Sequence, residues 1–439
     1  MQGRTIGLQT KFYDEFMNTK IIIGCFFVLF LSACTSCNNE IPVDKYLIWK
    51  NRICGKRLIF DAGVGYPVYK NTVVFHSTPE PWGDEQESIL HGLDIKTGKE
   101  KWRLINADFA PKKDLRFYNT FSTYQKDNIF VASDEVNTPN RPKGERYIFG
   151  IDIEKGNVLW VSPFPDDYFD IGHTIRGRGK HAYVNAVSNN KCSLLKVNIE
   201  TGEVTSAFDI CSKTDLPEEI NALNTRFAGY YFTEIYQNNE GDEMVALGLM
   251  PYIPDEPYYN SVLYVYNLTK NKKVYTTTVT TAGSNFWIYH LNGKLVIGSY
   301  KTVYCYDAFV NKKYWEKSVV LNHGVGLGNG NDEILQVLGY DNLALIFCVD
   351  RLVAFDINTG TLKYNVPASH ARATVVDGVV YNEDYNDLVM RDVYSGKILK
   401  RYSAGINEEG FARTRPKVVD GKVYIHSYTD AYCIKAWEK

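Results

Sequence analysis

The sequence predicts an all-β chain, an eight-bladed β-propeller of four-stranded antiparallel blades, with seven blades as the alternative count. Three observations predict it. A hairpin phrase recurs as "LDIKTGKEKW" (Leu93 to Trp102), "IDIEKGNVLW" (Ile151 to Trp160), "VNIETGEVTS" (Val197 to Ser206) and "FDINTGTLKY" (Phe355 to Tyr364). A second turn signal alternates with the first along the chain, and repetition of this kind marks a repeat architecture. The composition is 14% aromatic with 32 tyrosines, and aromatic side chains favour strands.

The second signal is a tight turn feeding a short apolar run. It occurs eight times: "YKNTVVFHS", "KDNIFVAS", "GKHAYVNAV", "AGYYFTEIY", "NGKLVIGS", "YDNLALIFC", "DGVVYNED" and "DGKVYIHS". Asn-Gly and Asp-Gly between apolar runs are strong hairpin signals because both central positions tolerate positive φ. The hairpin phrase turns seven times, at Thr97-Gly98, Lys155-Gly156, Thr201-Gly202, Lys270-Asn271, Val310-Asn311, Thr359-Gly360 and Ser395-Gly396. The last repeat stops after its third strand, and "YLIWK" (Tyr46 to Lys50) is an orphan strand near the start. A ring whose first strand completes the last sheet accounts for both, because shared strands close a propeller and leave no open edge there. The length then allows roughly 50 residues per blade, ordinary for this fold.

Within the hairpin phrase each residue has a task. Asp94, Asp152, Asp307, Asp356 and Asp392 end the third strand and can accept from the turn's backbone amides; their regular recurrence favours this over metal ligation. The turn glycine supplies positive φ. Four residues past the turn's Gly or Asn stand Trp102, Trp160, Tyr275, Trp315 and Tyr364, rings that can pack on the neighbouring blade. Ser206 and Lys400 break this rule in the third and seventh copies.

The N-terminus has its own signal. From Met17 a lysine, about a dozen apolar residues and then Leu31-Ser32-Ala33-Cys34 suit a signal peptide rather than a membrane span. Leu-Ser-Ala-Cys resembles a bacterial lipobox, which implies cleavage before Cys34, acylation of that cysteine and anchoring at the outer membrane, facing the periplasm or the outside. The expected organisation is a signal peptide over 1–33 with translation starting at Met17, a lipidated tether over 34–45 and one propeller domain over 46–439. Net charge is -2, so nothing points to nucleic acid, and membrane contact is expected through the lipid anchor alone. Cys192 and Cys211 are equidistant from the Thr201-Gly202 turn and should face each other across two strands. Two buried thiols and a disulfide both fit that register. No Cys/His cluster suggests a metal.

At the hairpin phrase the chain resembles the pyrroloquinoline-quinone-like (PQQ-like) propeller superfamily, whose tryptophan-docking repeat has the form A-x-D-x-x-T-G-K-x-x-W. The resemblance runs from Tyr46 to the C-terminus and has two branches. One is the quinone-dependent dehydrogenases. The other is the lipoprotein branch that includes the propeller subunit of the outer-membrane β-barrel assembly machine. The first typically carries a vicinal Cys-Cys pair, and this chain has no adjacent cysteines. No calcium-ligating set or catalytic-aspartate motif is recognisable, and none of the eight histidines, His76, His173, His290 and His426 among them, makes a recognisable triad with Ser or Cys. The expectation is a protein with no cofactor and no catalytic residues.

Long segments gather on the rim carrying second-to-third-strand and blade-to-blade loops, where binding usually resides. Trp82, Phe164, Tyr168, Phe169, Tyr252, Tyr258 and Tyr259 would place aromatic area there, suited to a protein interface or to sugar stacking, with folding back over the blades as the alternative. "GVGLGNGNDE" (Gly324 to Glu333) lacks the spacing of a phosphate loop and reads as an inter-blade loop. "RGRGKH" (Arg176 to His181) reads as a solvated strand edge. The functional expectation is a non-catalytic, lipid-anchored propeller, monomeric apart from its complexes, scaffolding envelope proteins in outer-membrane protein assembly. Glycan or nutrient binding at the surface is the alternative, and a quinone dehydrogenase comes behind both.

Overall fold

The computed structural model describes residues 41–42, 45–53, 66–77, 89–105, 108, 124–133, 147–163, 170–187, 191–212, 226–227, 233–249, 251–252, 258–282, 286–319, 333–368, 372–403, 411, 415–427 and 429–438. The chain divides into a unit over 1–41 and a unit over 42–439, and the propeller is built within the second. The expected signal peptide and Cys34 lie outside the described residues.

Eight antiparallel blades of four strands follow one another along the chain, and the sheet of blade seven carries the two-residue strand Ile41–Pro42 as a fifth at its outer edge. Blade one spans Val68 to Ile105, blade two Tyr124 to Pro163, blade three Asp170 to Ser212 and blade four Thr233 to Ala282. Blade five spans Phe286 to Ser318, blade six Ile334 to Pro367 and blade seven Ala373 to Ser403. Blade eight takes three strands from Lys417 to Lys435 and its fourth from Leu47–Arg52, with Trp49 opposite Cys433. The orphan strand therefore closes the ring.

Burial follows each strand's place in this plan. A second strand has neighbouring blades on both faces, so it is apolar on both: Leu343–Cys348, "LALIFC", is buried throughout. A fourth strand faces solvent, and in Lys313–Ser318, "KYWEKS", Trp315 alone is buried. First strands of successive blades neighbour one another around the axis. There the Gln125 amide accepts from Val68 N at 3.1 Å and donates to Val68 O at 2.6 Å, joining blades two and one.

The recurring ring is a docking device. Each indole of the set reaches forward one blade and donates to the carbonyl just past that blade's turn aspartate or, in blade three, Asn198. Trp49 bonds Ile95 O at 2.9 Å, Trp102 Ile153 O at 3.0 Å, Trp160 Ile199 O at 2.8 Å and Trp315 Ile357 O at 2.9 Å. Two tyrosines use the same position, Tyr364 bonding Val393 O at 2.8 Å and Tyr275 the adjacent Asp307 O at 2.6 Å. The Trp102 ring lies on Gly156, whose φ is 72°; a Cβ there would come within 2.4 Å of the ring. The turn glycine is thus required twice, for backbone conformation and for the flat seat. The aspartates act as expected: Asp94 Oδ1 accepts from Lys96 N at 3.0 Å and Thr97 N at 2.8 Å, and Asp152, Asp307, Asp356 and Asp392 repeat the pattern.

Two seams lack the docked ring, and each is closed differently. Between blades three and four, Tyr183 Oη donates to Glu243 Oε2 at 2.6 Å and Lys196 Nζ to the same oxygen at 2.8 Å. Deeper in, the buried Asn185 and Thr233 side chains bond twice, at 2.7 and 3.0 Å. Between blades seven and eight, the Lys400 ammonium sits 4.6 Å from the Tyr46 ring and 4.8 Å from that of Trp437. The rings there come from the two ends of the propeller, and a cation stands where other copies have an aromatic.

Blade four departs from the expected register. "AGYYFTEIY" was expected to supply the second strand; Thr233–Gln237 is instead the blade's first strand, and Glu243–Leu249 is the second. The turn between them runs over Asn238–Asp242, with Asn238 N donating to Asp242 O at 3.1 Å and Gly241 at φ 85°. A longer turn closed by an asparagine has no Asn-Gly or Asp-Gly signature, so the register is unmarked. Cys192 and Cys211 face each other as direct partners. No disulfide joins them; the Cys211 thiol lies 3.0 Å from Tyr264 Oη, and burial pushes the Cys192 thiol well up.

Candidate binding face and the buried polar centres

An antiparallel blade puts its first and third turns at one end and its remaining connections at the other, so the ring has two unlike rims. On the second rim, blades five to seven join their second and third strands through two residues each: Tyr300–Lys301, Val349–Asp350 and Tyr385–Asn386. Blades one, two and four use 78–88, 134–146 and 250–257 for the same connection. The long second-to-third-strand connections therefore belong to blades one, two and four, while on the same rim the blade-to-blade connections 319–333 and 404–416 are long in the other half. The 250–257 connection meets the 213–232 connection between blades three and four, where Arg226–Phe227 pairs with Pro251–Tyr252 as a two-stranded ribbon.

Of the expected binding residues, Trp82, Phe164, Tyr168 and Phe169 lie outside the described residues. The Tyr252 backbone lies in the ribbon opposite Arg226, and Tyr258 and Tyr259 pair with Ala282 and Thr281 in the outer hairpin of blade four; the side chains of all three lie outside the description. "GVGLGNGNDE" also lies outside it except for Glu333, whose carbonyl accepts from Val349 N at 3.1 Å. "RGRGKH" ends the first strand of blade three. That is an edge of its sheet, but it faces the axis, and Arg176 and Arg178 are half-buried rather than solvated.

Those arginines open a polar centre that crosses blades three to five. Arg176 Nε donates to Thr233 O at 3.1 Å, beside Glu234. Protein surrounds Glu234 although water still reaches it. Burial pushes its carboxyl up to about 7, opposed by Arg176 and by the His290 backbone amide. The His290 ring stacks on Tyr236 with centroids 4.3 Å apart, and burial with Arg178 nearby holds it down at about 4. Farther round, burial and the neighbouring Arg415 lower the Lys417 ammonium. Sequence reasoning missed this centre because its members come from separate blades and share no motif.

A second centre corrects the expectation that no histidine is part of a triad. Ser77 Oγ lies 2.7 Å from His91 Nε2, and His91 Nδ1 lies 2.7 Å from Glu100 Oε2. With Ser77 donating to Nε2 and Nδ1–H donating to the carboxylate, this is the order of a charge-relay triad. Ser77 is 1% exposed and His91 0%, so no substrate carbonyl reaches Oγ in this conformation. Burial lowers the imidazole despite the Glu100 bond. As built, the relay satisfies both nitrogens of a buried, neutral ring. The signal that could have found it is hairpin register: Phe75 opposes His91, so Ser77 is its diagonal neighbour. His76 and His426, also at the closing seam, are held down at about 4 chiefly by burial.

The repeat geometry and the docked indoles have counterparts in known proteins. Residues 260–439 match the family model described as outer membrane protein assembly factor BamB. The chain is a β-propeller whose residues 260–439 resemble that family. Among solved structures, the propeller is similar to BamB from Moraxella catarrhalis at 10% identity and a TM-score of 0.52, covering 89% of this chain and 99% of that one. It is similar to the Dos1 propeller at 11% identity and a TM-score of 0.55, covering 90% and 96%. Likeness at that identity carries the fold alone. No curated protein matches the sequence. The matched segment begins in the third strand of blade four, so it takes in blades five to eight and excludes the long second-to-third-strand connections.

Proposed function

We propose that the protein is a lipid-anchored, non-catalytic propeller that holds envelope proteins together during outer-membrane protein assembly. The observation that carries this reading is the division of labour between the rims: a ring locked by docked aromatics and, over blades one to four, long loops on one face. A rigid scaffold presenting long loops suits recognition of a protein surface, because little order has to be created on binding. The match to the BamB family model gives the reading its direction.

The test is crosslinking of the natively lipidated protein in intact envelopes, with captured neighbours identified by mass spectrometry. A second sample carries Trp82→Ala, Tyr258→Ala and Tyr259→Ala. Capture of β-barrel assembly proteins by the first sample and their loss from the second is the expected result. Capture of glycan-uptake proteins instead, or of none, would overturn the assembly role and favour surface ligand binding.

A further inference from the structure

The fourth strands of the eight blades are not equally protected. An edge strand offers unpaired amides and carbonyls to any chain that meets it, and natural sheets blunt that risk with charge, proline or shortness. Charge sits inside the fourth strands of blades one, three, five, six, seven and eight, as with Asp209 in the middle of Val204–Ser212. That of blade two, Val158–Pro163, is uncharged, but it is 6 residues long and stops at the proline.

Blade four is the exception. Its fourth strand, Lys272–Ala282, is 11 residues long, and after Lys273 it reads "VYTTTVTTA", with no charge, proline or glycine. An uncharged, β-branched run of that length is the kind of segment that pairs with another strand. Its inner edge is paired with Tyr258–Asn267 from end to end, and among the described residues no strand pairs with its outer edge. The Asn311 side chain of blade five touches it at one end of the run, donating to Thr276 O at 3.4 Å. The strand is also held still. Tyr275 is docked on Asp307 O, and Val279 is buried between blades four and five while Thr278 is exposed. A preformed edge loses little freedom on pairing.

We propose that this edge pairs with the same edge of a second copy of the chain, the two strands running antiparallel about a two-fold axis near Val279 and joining two blades into one continuous sheet. An isologous contact sets a segment against itself. Self-pairing across Thr276–Thr281 sets threonine against threonine at almost every place, and such cross-strand pairs support a sheet. No like charges meet, because Lys272 and Lys273 fall beyond Ala282 of the other copy. The uncharged run has nothing with which to select a different partner by charge, whereas pairing with itself asks only that its residues not repel one another. A single pair of strands is a small contact, so the dimer forms with rising concentration and is not obligate. The proposal departs from the expected monomer and rests on neither the lipid anchor nor the assembly role.

The experiment is analytical sedimentation of the purified full chain from about 1 to about 100 μM, the range over which so small a contact should saturate. The weight-average mass should rise from that of one chain toward twice that value. Thr278→Lys, at an exposed position, should hold the mass at one chain throughout, because it sets like charges beside each other across the two-fold, and Thr278→Glu should do the same. An equimolar mixture of the two variants should recover the two-chain mass, which a variant that had merely damaged the fold could not do. A wild-type chain that stays single at every concentration overturns the proposal. So does association that Thr278→Lys leaves intact, since the contact then lies elsewhere, and so does a mixture that stays single.

Discussion

Five indole or phenol docks between successive blades, together with Trp49 at ring closure, can be set against the two seams that do without them. At a docked seam one side chain supplies both the buried area and the hydrogen bond, and the receiving turn is shaped to seat it. At the seam between blades three and four the same task is divided among Tyr183, Glu243, Lys196, Asn185 and Thr233. At the seam between blades seven and eight a lysine is held between two rings. The difference teaches that a propeller needs each seam filled and its polar groups paired, and that the aromatic dock is one solution among several.

The sharpest way to break the comparison is to remove the ring where it docks and the residue that replaces it elsewhere. Trp315→Ala should cost about 3–5 kcal/mol in denaturant unfolding, because a buried ring and its bond to Ile357 O go together. Ser206→Ala, at the equivalent position, should stay within about 0.5 kcal/mol. Similar losses from the two would refute the distinction.

Acid should find the closing seam next. His76 and His426 have folded values of about 4 against 6.5, so the unfolded chain binds protons first as pH falls. Their contribution is complete above 6.5 and is lost toward about 4, at about 1.4 kcal/mol per pH unit for each ring. Equilibrium unfolding across that window should show the slope, and His76→Gln with His426→Gln should flatten it.

The polar seam has a different window. Burial alone would raise the Glu243 carboxyl, yet bonds from Lys196 and Tyr183 hold it below its ordinary value. Its stabilisation is present above the ordinary carboxylate range and is lost as pH falls through the depressed folded value. Glu243→Gln should cost about 1–3 kcal/mol at neutral pH and remove that part of the acid dependence; an unchanged acid profile would exonerate the pair. Lys400→Gln should cost about 0.5–1 kcal/mol, the size of a cation–π contact, read as a small fall in the unfolding midpoint. Smallest of all, a reductant should leave the melting temperature unchanged, because Cys192 and Cys211 are not joined; a clear fall would reveal a bridge.

Much of this architecture can be read along the chain. The Asp, the turn glycine and the aromatic four residues on are local consequences of one hairpin, so repetition announces the blades, their strand order and the closure by "YLIWK". The reading slipped at blade four, where the Asn238–Asp242 turn carries no standard signature. It also passed over Ser77, His91 and Glu100, whose alignment depends on the register of three strands. The expected binding aromatics are visible in the sequence as a composition of the loops, and composition does not place a side chain.

By itself the sequence determined the repeat, the ring and the packing of the recurring aromatics on a neighbouring blade, because those depend on spacing within a hairpin and on one neighbour. Only the tertiary structure decided the rest. The Glu234 carboxyl rises to about 7 because strands from three blades enclose it near the axis. Lys400 can replace an aromatic because two segments far apart in sequence meet there and bring Tyr46 and Trp437. Burial and proximity between distant segments set these energies, and neither is a property of any local stretch of residues.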